Sequence, residues 1–197
     1  ERLRRAVRQA AQECGKEARL EIEGESLEID RGMLDRMTPV FEHLLRNAVA
    51  HGIEPAAQRQ AAGKPAVGQL RIRVEQAGND IALRFEDDGA GLDLARITDK
   101  ARRLGLQEPG GALSPRAAAD LIFRPGFSTA ASVSELAGRG VGLDVVRAEV
   151  QALGGRIEVE SEPGRGCSFR LLLPLTTAVT HVVLMRCGPL RFGVPAS

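Results

Sequence analysis

Met33, Met37, Val40, Phe41, Leu44, Ala48 and Val49 recur at steps of three and four, the spacing of one buried helical face. Asp30 precedes this run as an N-cap, and Gly52 lies just past its end, where a left-handed residue is favoured. A basic amphipathic pattern predicts another helix over residues 1–18, stopping near Cys14-Gly15-Lys16. Period two governs other stretches. "ARLEIEG" and "SLEID" read as short strands, and "QLRIRVEQAGNDIALRFEDDG" alternates on both sides of Gly78-Asn79, as a β-hairpin does. "RIEVESEPGRGCSFRLLLPL" predicts a second hairpin. Helical patches cover about 93–104 and 115–122, and "VGLDVVRAEVQALGG" is an amphipathic helix stopped by glycine. "EPAAQRQAAGKPAVG" reads as a polar connection with one helical turn. Helices interspersed with hairpins give an α+β fold, a two-layer α/β sandwich whose mixed, mostly antiparallel sheet carries helices on one face.

Two stretches break the periodicity. Residues 123–142 are rich in Gly, Ser and Ala, as in a mobile functional loop, so a lid over 124–142 is expected. After Pro174-Leu175-Thr176, the tail starts a new pair of strands.

Composition narrows the function. Among the 197 residues 43% are hydrophobic, enough for a core, and the net charge is only +1. A nucleic-acid or membrane-surface binder would be lopsided in charge, and six Phe with no Trp or Tyr leave few platforms for stacking bases. Cys14, Cys167 and Cys187 form no CxxC pair, which suits a reducing cytoplasm. No apolar run approaches the roughly 18 residues of a membrane span, and the charged start is no signal peptide. The expectation is a soluble cytoplasmic chain without membrane insertion.

Chemistry concentrates in a few segments. On the helix with the buried face, His43, Asn47 and His51 form a polar row one turn apart. Asn47 offers a hard oxygen suited to Mg²⁺, which needs few protein ligands when phosphates and waters supply the rest. His43 and His51 stand one turn to either side, placed to touch phosphate or the attacking group, and zinc lacks its third and fourth ligands. "EDDGAGLD" ends a strand in an acidic pair; a buried Asp accepts from an exocyclic amine such as adenine's, and Gly89 and Gly91 let the backbone turn tightly and approach a flat ligand. "GRGVGLDVV" sets Gly138, Gly140 and Gly142 ahead of a helix, where bare amides bind phosphate. No strand precedes these glycines and no G-x-x-x-x-G-K-[ST] occurs, which excludes the dinucleotide fingerprint and the P-loop.

In order, "HLLRNAVAHGIEP", "EDDGAGLD", "IFRPGFSTA", "GRGVGLDVV" and "PGRGCSF" resemble the nucleotide-binding boxes of CheA-type chemotaxis histidine kinases, a branch of the Bergerat-fold ATPases that include sensor kinases, Hsp90 and DNA gyrase. The resemblance implies ATP and Mg²⁺ as cofactors. Asn47 would hold the Mg²⁺, and His43, where relatives place Glu, would position or deprotonate the phosphoryl acceptor. Asp88 would bind the adenine amine. Gly138, Gly140 and Gly142 would let the lid close, with Gly164 and Gly166 beside the adenine end and His51 and Lys100 near phosphate. It also implies that residues 1–18 end a dimerisation linker, that 19–175 form the catalytic domain, and that 176–197 begin a CheW-like regulatory domain.

The implied activity is transfer of the ATP γ-phosphoryl to a histidine on a separate phosphotransfer domain of the same kinase. The implied partners are a response regulator and, through that regulatory domain, a CheW-like adaptor and chemoreceptors; the whole kinase would be a homodimer and bind no nucleic acid. Ala50 stands where many such kinases have Asp, and Cys167 where Thr is usual, departures that point toward the hybrid kinases controlling type IV pili. Two rival readings are a nucleotide-binding regulatory module that no longer catalyses and an ATP hydrolase of the Hsp90 or gyrase kind, which would want Glu at position 43.

Overall fold

The structure, a computed structural model, describes residues 1–24, 31–106, 114–127 and 142–175, with the backbone of 182–187 and 190–195. Helix α1 (Arg2–Glu13) leads into strand β1 (Ala18–Gly24), and α2 (Arg31–Asn47) runs on into a π-helical turn, Ala48–Gly52. A short helix α3 (Ala56–Ala61) precedes the hairpin β2 (Gly68–Ala77) and β3 (Asp80–Asp87). Helices α4 (Leu94–Arg103) and α5 (Pro115–Asp120), a 3₁₀ turn (Leu121–Phe123) and α6 (Leu143–Ala152) follow. The second hairpin is β4 (Arg156–Glu162) with β5 (Gly166–Pro174).

Five strands form one sheet in the order β1-β2-β3-β5-β4, antiparallel except for parallel β1–β2. This is the mixed, mostly antiparallel sheet expected. Strand alternation explains the layering. Leu70, Ile72, Ile81, Leu83, Phe85, Ile157, Val159, Leu171 and Leu173 bury one face of the sheet with Met37, Phe41, Leu44, Leu45, Val146 and Val150 of the helices, and Phe41 meets Phe85 at 5.2 Å between ring centroids. The opposite face carries cross-strand ion pairs such as Arg73–Glu23 and Arg71–Glu21. Strands β6 (Val182–Cys187) and β7 (Leu190–Pro195) pair in a separate two-stranded sheet.

Three expectations change in detail. Gly52 belongs to the π-helical turn, without positive φ; what it provides is close approach, since a Cβ there would sit 3.2 Å from the Asp87 carboxylate. Residues 54–68 are no mere polar connection, because Arg59 within them is fully buried. "SLEID", the Asp30 cap and most of the expected lid lie outside the described residues, as do Gly138 and Gly140.

Candidate functional site

Helix α2 brings its polar row to the edge of the core. The Asn47 amide nitrogen lies 2.9 Å from His43 Nε2. For Nε2 to accept, the imidazole must be neutral with its proton on Nδ1. Desolvation lowers the His43 pKa, as do Arg46 and His51, while Asp144 at the start of α6 opposes them. With its amide donating to His43, the planar carboxamide turns its oxygen away from that ring. Helix α6, which starts after Gly142 and carries Asp144 in its first turn, packs against α2.

His51 is exposed on the π-helical turn, and desolvation and the charge of Lys16 lower its pKa. The Lys100 ammonium sits 5.4 Å from the centroid of Phe127, which leads into the glycine- and serine-rich segment.

The other half of the site lies where β3 ends. Inward alternation through Ile81, Leu83 and Phe85 puts Asp87, not Asp88, on the helix side of the sheet. Asp87 Oδ1 accepts from Gly89 N at 3.0 Å. Burial, with the nearby charges of Asp88 and Glu54, outweighs backbone N–H donors and pushes its carboxyl up from 3.8 to about 6. Neighbouring Cys167 is pushed up to about 12, first by burial and then by Asp87, so it stays a neutral thiol.

Asp88, half-buried, is tied to the protein by its carboxylate. Its Oδ2 accepts from Arg59 Nη2 at 2.7 Å and its Oδ1 from Gln69 N at 2.9 Å. Arg59 also bonds Glu54 Oε2 (3.1 Å) and Pro65 O (2.8 Å), and Lys64 ties Glu54 Oε1 (2.7 Å) to the carbonyls of Asp88 (2.9 Å) and Gly89 (2.8 Å). The Asp88 carboxylate, the expected adenine acceptor, is thus engaged by a buried guanidinium and a backbone amide. Asp88→Asn is expected to cost about 1.5–3 kcal/mol of stability, the scale of one hydrogen bond to a charged group, with little change in ligand affinity. Urea unfolding and calorimetric titration check the two halves.

The glycines of this region let backbone approach backbone closely. A Cβ on Gly89 would lie 2.2 Å from Gly52 O, one on Gly91 2.6 Å from Glu162 O, and one on Gly166 1.8 Å from Asp87 O. Bare backbone lets the loop after β3 nest between the π-helical turn and the β4–β5 hairpin. Ala90 N bonds Gly52 O at 2.9 Å, Gly164 N bonds Ala90 O at 2.8 Å, and Ser161 Oγ accepts from Leu92 N at 2.7 Å. Gly164 itself serves the hairpin turn, at φ +77°.

Thus the structure joins His43 with Asn47, and Gly89, Gly91, Gly164 and Gly166 with Asp87. Gly52 links the two groups. An open depression of about 640 Å³ is lined by Asp87, Ser161 and Cys167 together with Arg71, Arg73 and Glu160.

Sequence reasoning missed Asp87, Arg59 and Lys64. Two signals pointed to Asp87: strand parity, and the D-x-G-x-G spacing counted back from Gly89 and Gly91. Among the described residues no group of three or more His, Cys, Asp or Glu forms a metal cluster, and no helix is long and apolar enough to cross a membrane.

The histidine kinase-, DNA gyrase B- and HSP90-like ATPase family matches residues 32–177, and the chain belongs to that family. It is 46% identical over 195 residues to a gliding motility regulatory protein of Myxococcus xanthus, covering 98% of this chain and 25% of that protein. It is 41% identical over 197 residues to the chemotaxis protein CheA of Cereibacter sphaeroides, covering 100% and 29%. The chain thus spans between a quarter and three tenths of the length of these relatives. Among solved structures, the Acinetobacter baumannii histidine kinase AdeS superposes with a TM-score of 0.52 at 18% identity, covering 89% of this chain and 62% of that one, a likeness of fold.

Proposed function

We propose that this chain is the ATP-binding catalytic domain of a CheA-type protein-histidine kinase that moves the ATP γ-phosphoryl to a histidine on a separate domain. The observation that carries this reading is the pairing of Asn47 with His43 beside the start of α6, on one scaffold with the inward carboxyl of Asp87. Asp87 takes the role first expected of Asp88: its buried carboxylate accepts the adenine amine. Asn47 fits Mg²⁺, because its amide is engaged by His43 and its hard oxygen faces away. Bound Mg²⁺ and ATP would supply charge neutralisation and the phosphoryl group. His43 fixes the Asn47 carboxamide, and Gly142 at the start of α6 presents its backbone amide to phosphate.

None of the three histidines, His43, His51 and His181, stands in the sequence of a helical-bundle phosphotransfer domain, so the acceptor histidine is assigned to another domain of a cytoplasmic, homodimeric kinase. The separate β6–β7 sheet supports reading residues 176–197 as the start of a CheW-like domain that meets adaptor and receptor; a response regulator would take the phosphoryl group onward.

Because catalysis of this kind rests on positioning and charge neutralisation, Asn47→Ala is expected to abolish phosphoryl transfer to a supplied acceptor domain. It should weaken nucleotide binding in the absence of Mg²⁺ far less. Titration of an ATP analogue with and without Mg²⁺, together with a phosphotransfer assay, decides it. Undiminished transfer would sink the role of Asn47. Tight binding by the parent with no transfer would favour a regulatory module.

A further inference from the structure

Lys16 lies in the connection between α1 and β1, outside every motif of the nucleotide site. Its half-buried ammonium donates to Val49 O at 3.0 Å and Ala50 O at 2.7 Å, both carbonyls of the π-helical turn. Ile53 N reaches Ala48 O at 2.8 Å; in an α-helical ladder that donor would serve Val49. The wider turn therefore leaves helix-end carbonyls in need of a donor, at the negative end of the helix dipole. An ammonium carries both the charge and the N–H groups they need.

The lysine is itself held. Helix α1 buries Val7, Ala10 and Ala11 in the same core as α2, and at its other end Arg2 pairs with Glu42 at 2.5 Å, the residue before His43. Helix α1 is thus clipped to the α2 element at both ends. On the far side of the turn, Gly52 O accepts from Ala90 N and abuts Gly89, and Gly52 lies against the Asp87 carboxylate. The turn is the only covalent link between Asn47 and Gly52.

We propose that Lys16 is a positioning residue for the nucleotide site, holding the π-helical turn in the geometry that seats the Asp87–Gly91 loop on one side and aims Asn47 on the other. It acts through the turn. This rests on the nucleotide reading above, but its first test does not.

Lys16→Met removes the charge and its donors while keeping most of the aliphatic stem; Lys16→Arg restores both. In ¹⁵N spectra of the nucleotide-free chain, Lys16→Met is expected to shift the amides of Ala48–Ile53 and Ala90 while leaving those of β4 in place. Lys16→Arg should return them. With a Mg²⁺–ATP analogue, Lys16→Met should weaken binding by about two- to thirtyfold, the range of coupling through intervening residues, and Lys16→Arg should regain most of it. If the parent binds no nucleotide, the functional reading fails and the amide spectra alone judge Lys16. Unmoved Ala48–Ile53 amides, or moved amides with affinity unchanged in a chain that binds, overturn the proposal. Should Lys16→Met fail to fold, Lys16→Gln, which keeps donors without the charge, must show the same local pattern in smaller degree. Shifts spread across the whole chain and not rescued by arginine would mark a merely structural residue and also overturn it.

Discussion

Asp87→Asn is expected to make the nucleotide-free chain more stable and to remove most of its nucleotide affinity. The two effects have one cause. In the fold the Asp87 carboxyl is pushed from 3.8 to about 6, first by burial and then by Asp88 and Glu54. A carboxyl whose folded value is raised stabilises the fold fully below the unfolded value and loses that contribution as pH rises through about 6. At pH 7 the ionised group therefore costs on the order of 3 kcal/mol, since a tenfold change in proton affinity is worth about 1.4 kcal/mol. Asparagine keeps the oxygen that accepts from Gly89 N and carries no charge. A gain of about 2 kcal/mol would raise Tm by roughly 4–8 °C in a chain of this size. Binding moves the other way. The carboxamide turns a donor toward the adenine amine, itself a donor, and loss of a charged acceptor costs about 1.5–3 kcal/mol, roughly ten- to two-hundredfold in affinity. Affinity of the parent should also fall as pH drops through about 6, while the asparagine variant stays flat over that range. Thermal unfolding and calorimetric titration between pH 5 and 8 measure both. Equal affinity in parent and variant would remove Asp87 from the adenine site.

What was legible in the sequence is what repeats along it. The buried face of α2, the two hairpins and α6 announce themselves because each element satisfies its period locally. Parallel pairing of β1 with β2 is a different matter: Ala18 meets Gly68, fifty positions on, and no turn connects them. The π-helical turn leaves no periodic trace either, since Ala48 and Val49 continue the apolar steps through it. The glycines after Asp87 were visible as a motif but not in purpose. A missing Cβ reads the same in sequence whether ligand or backbone fills its place, and at Gly89, Gly91 and Gly166 backbone fills it. Arg59 was hidden most completely. Its surroundings, Gln58 and Gln60, are exposed, and a buried arginine is betrayed only by partners that the fold brings from elsewhere.

Those partners make Arg59→Met the change expected to damage the fold most. Arg59 is fully buried, and its fork bridges Glu54, the Pro65 carbonyl, and both the carboxylate and the carbonyl of Asp88. Removing one member of a buried ionic cluster costs about 3–5 kcal/mol, because the charges left behind keep their desolvation cost without its compensation. The loss falls unevenly. Asp88 is 38% exposed and can turn to water, whereas Glu54 is buried and keeps only Lys64 and its own backbone N–H. Burial alone would raise the Glu54 carboxyl, but the hydrogen bond from Lys64, its own backbone and Arg59 bring it below 4.5. A depressed carboxyl contributes stability that is present above its unfolded value and lost as pH falls through the folded one, the opposite sense to Asp87. The Arg59→Met penalty should therefore be full at pH 7 and shrink on acidification below the ordinary carboxylate range. Lysine would not serve as a substitute, since an ammonium cannot span the same fork, so Arg59→Lys should recover only part of the loss. Glu54→Gln added to Arg59→Met should cost less than the two changes summed, because it removes the stranded charge. Urea unfolding at pH 7 and pH 4 reads each of these. If Arg59→Met falls within about 1 kcal/mol of the parent, the scale of exposed pairs, the cluster does not hold the loop that carries Asp87.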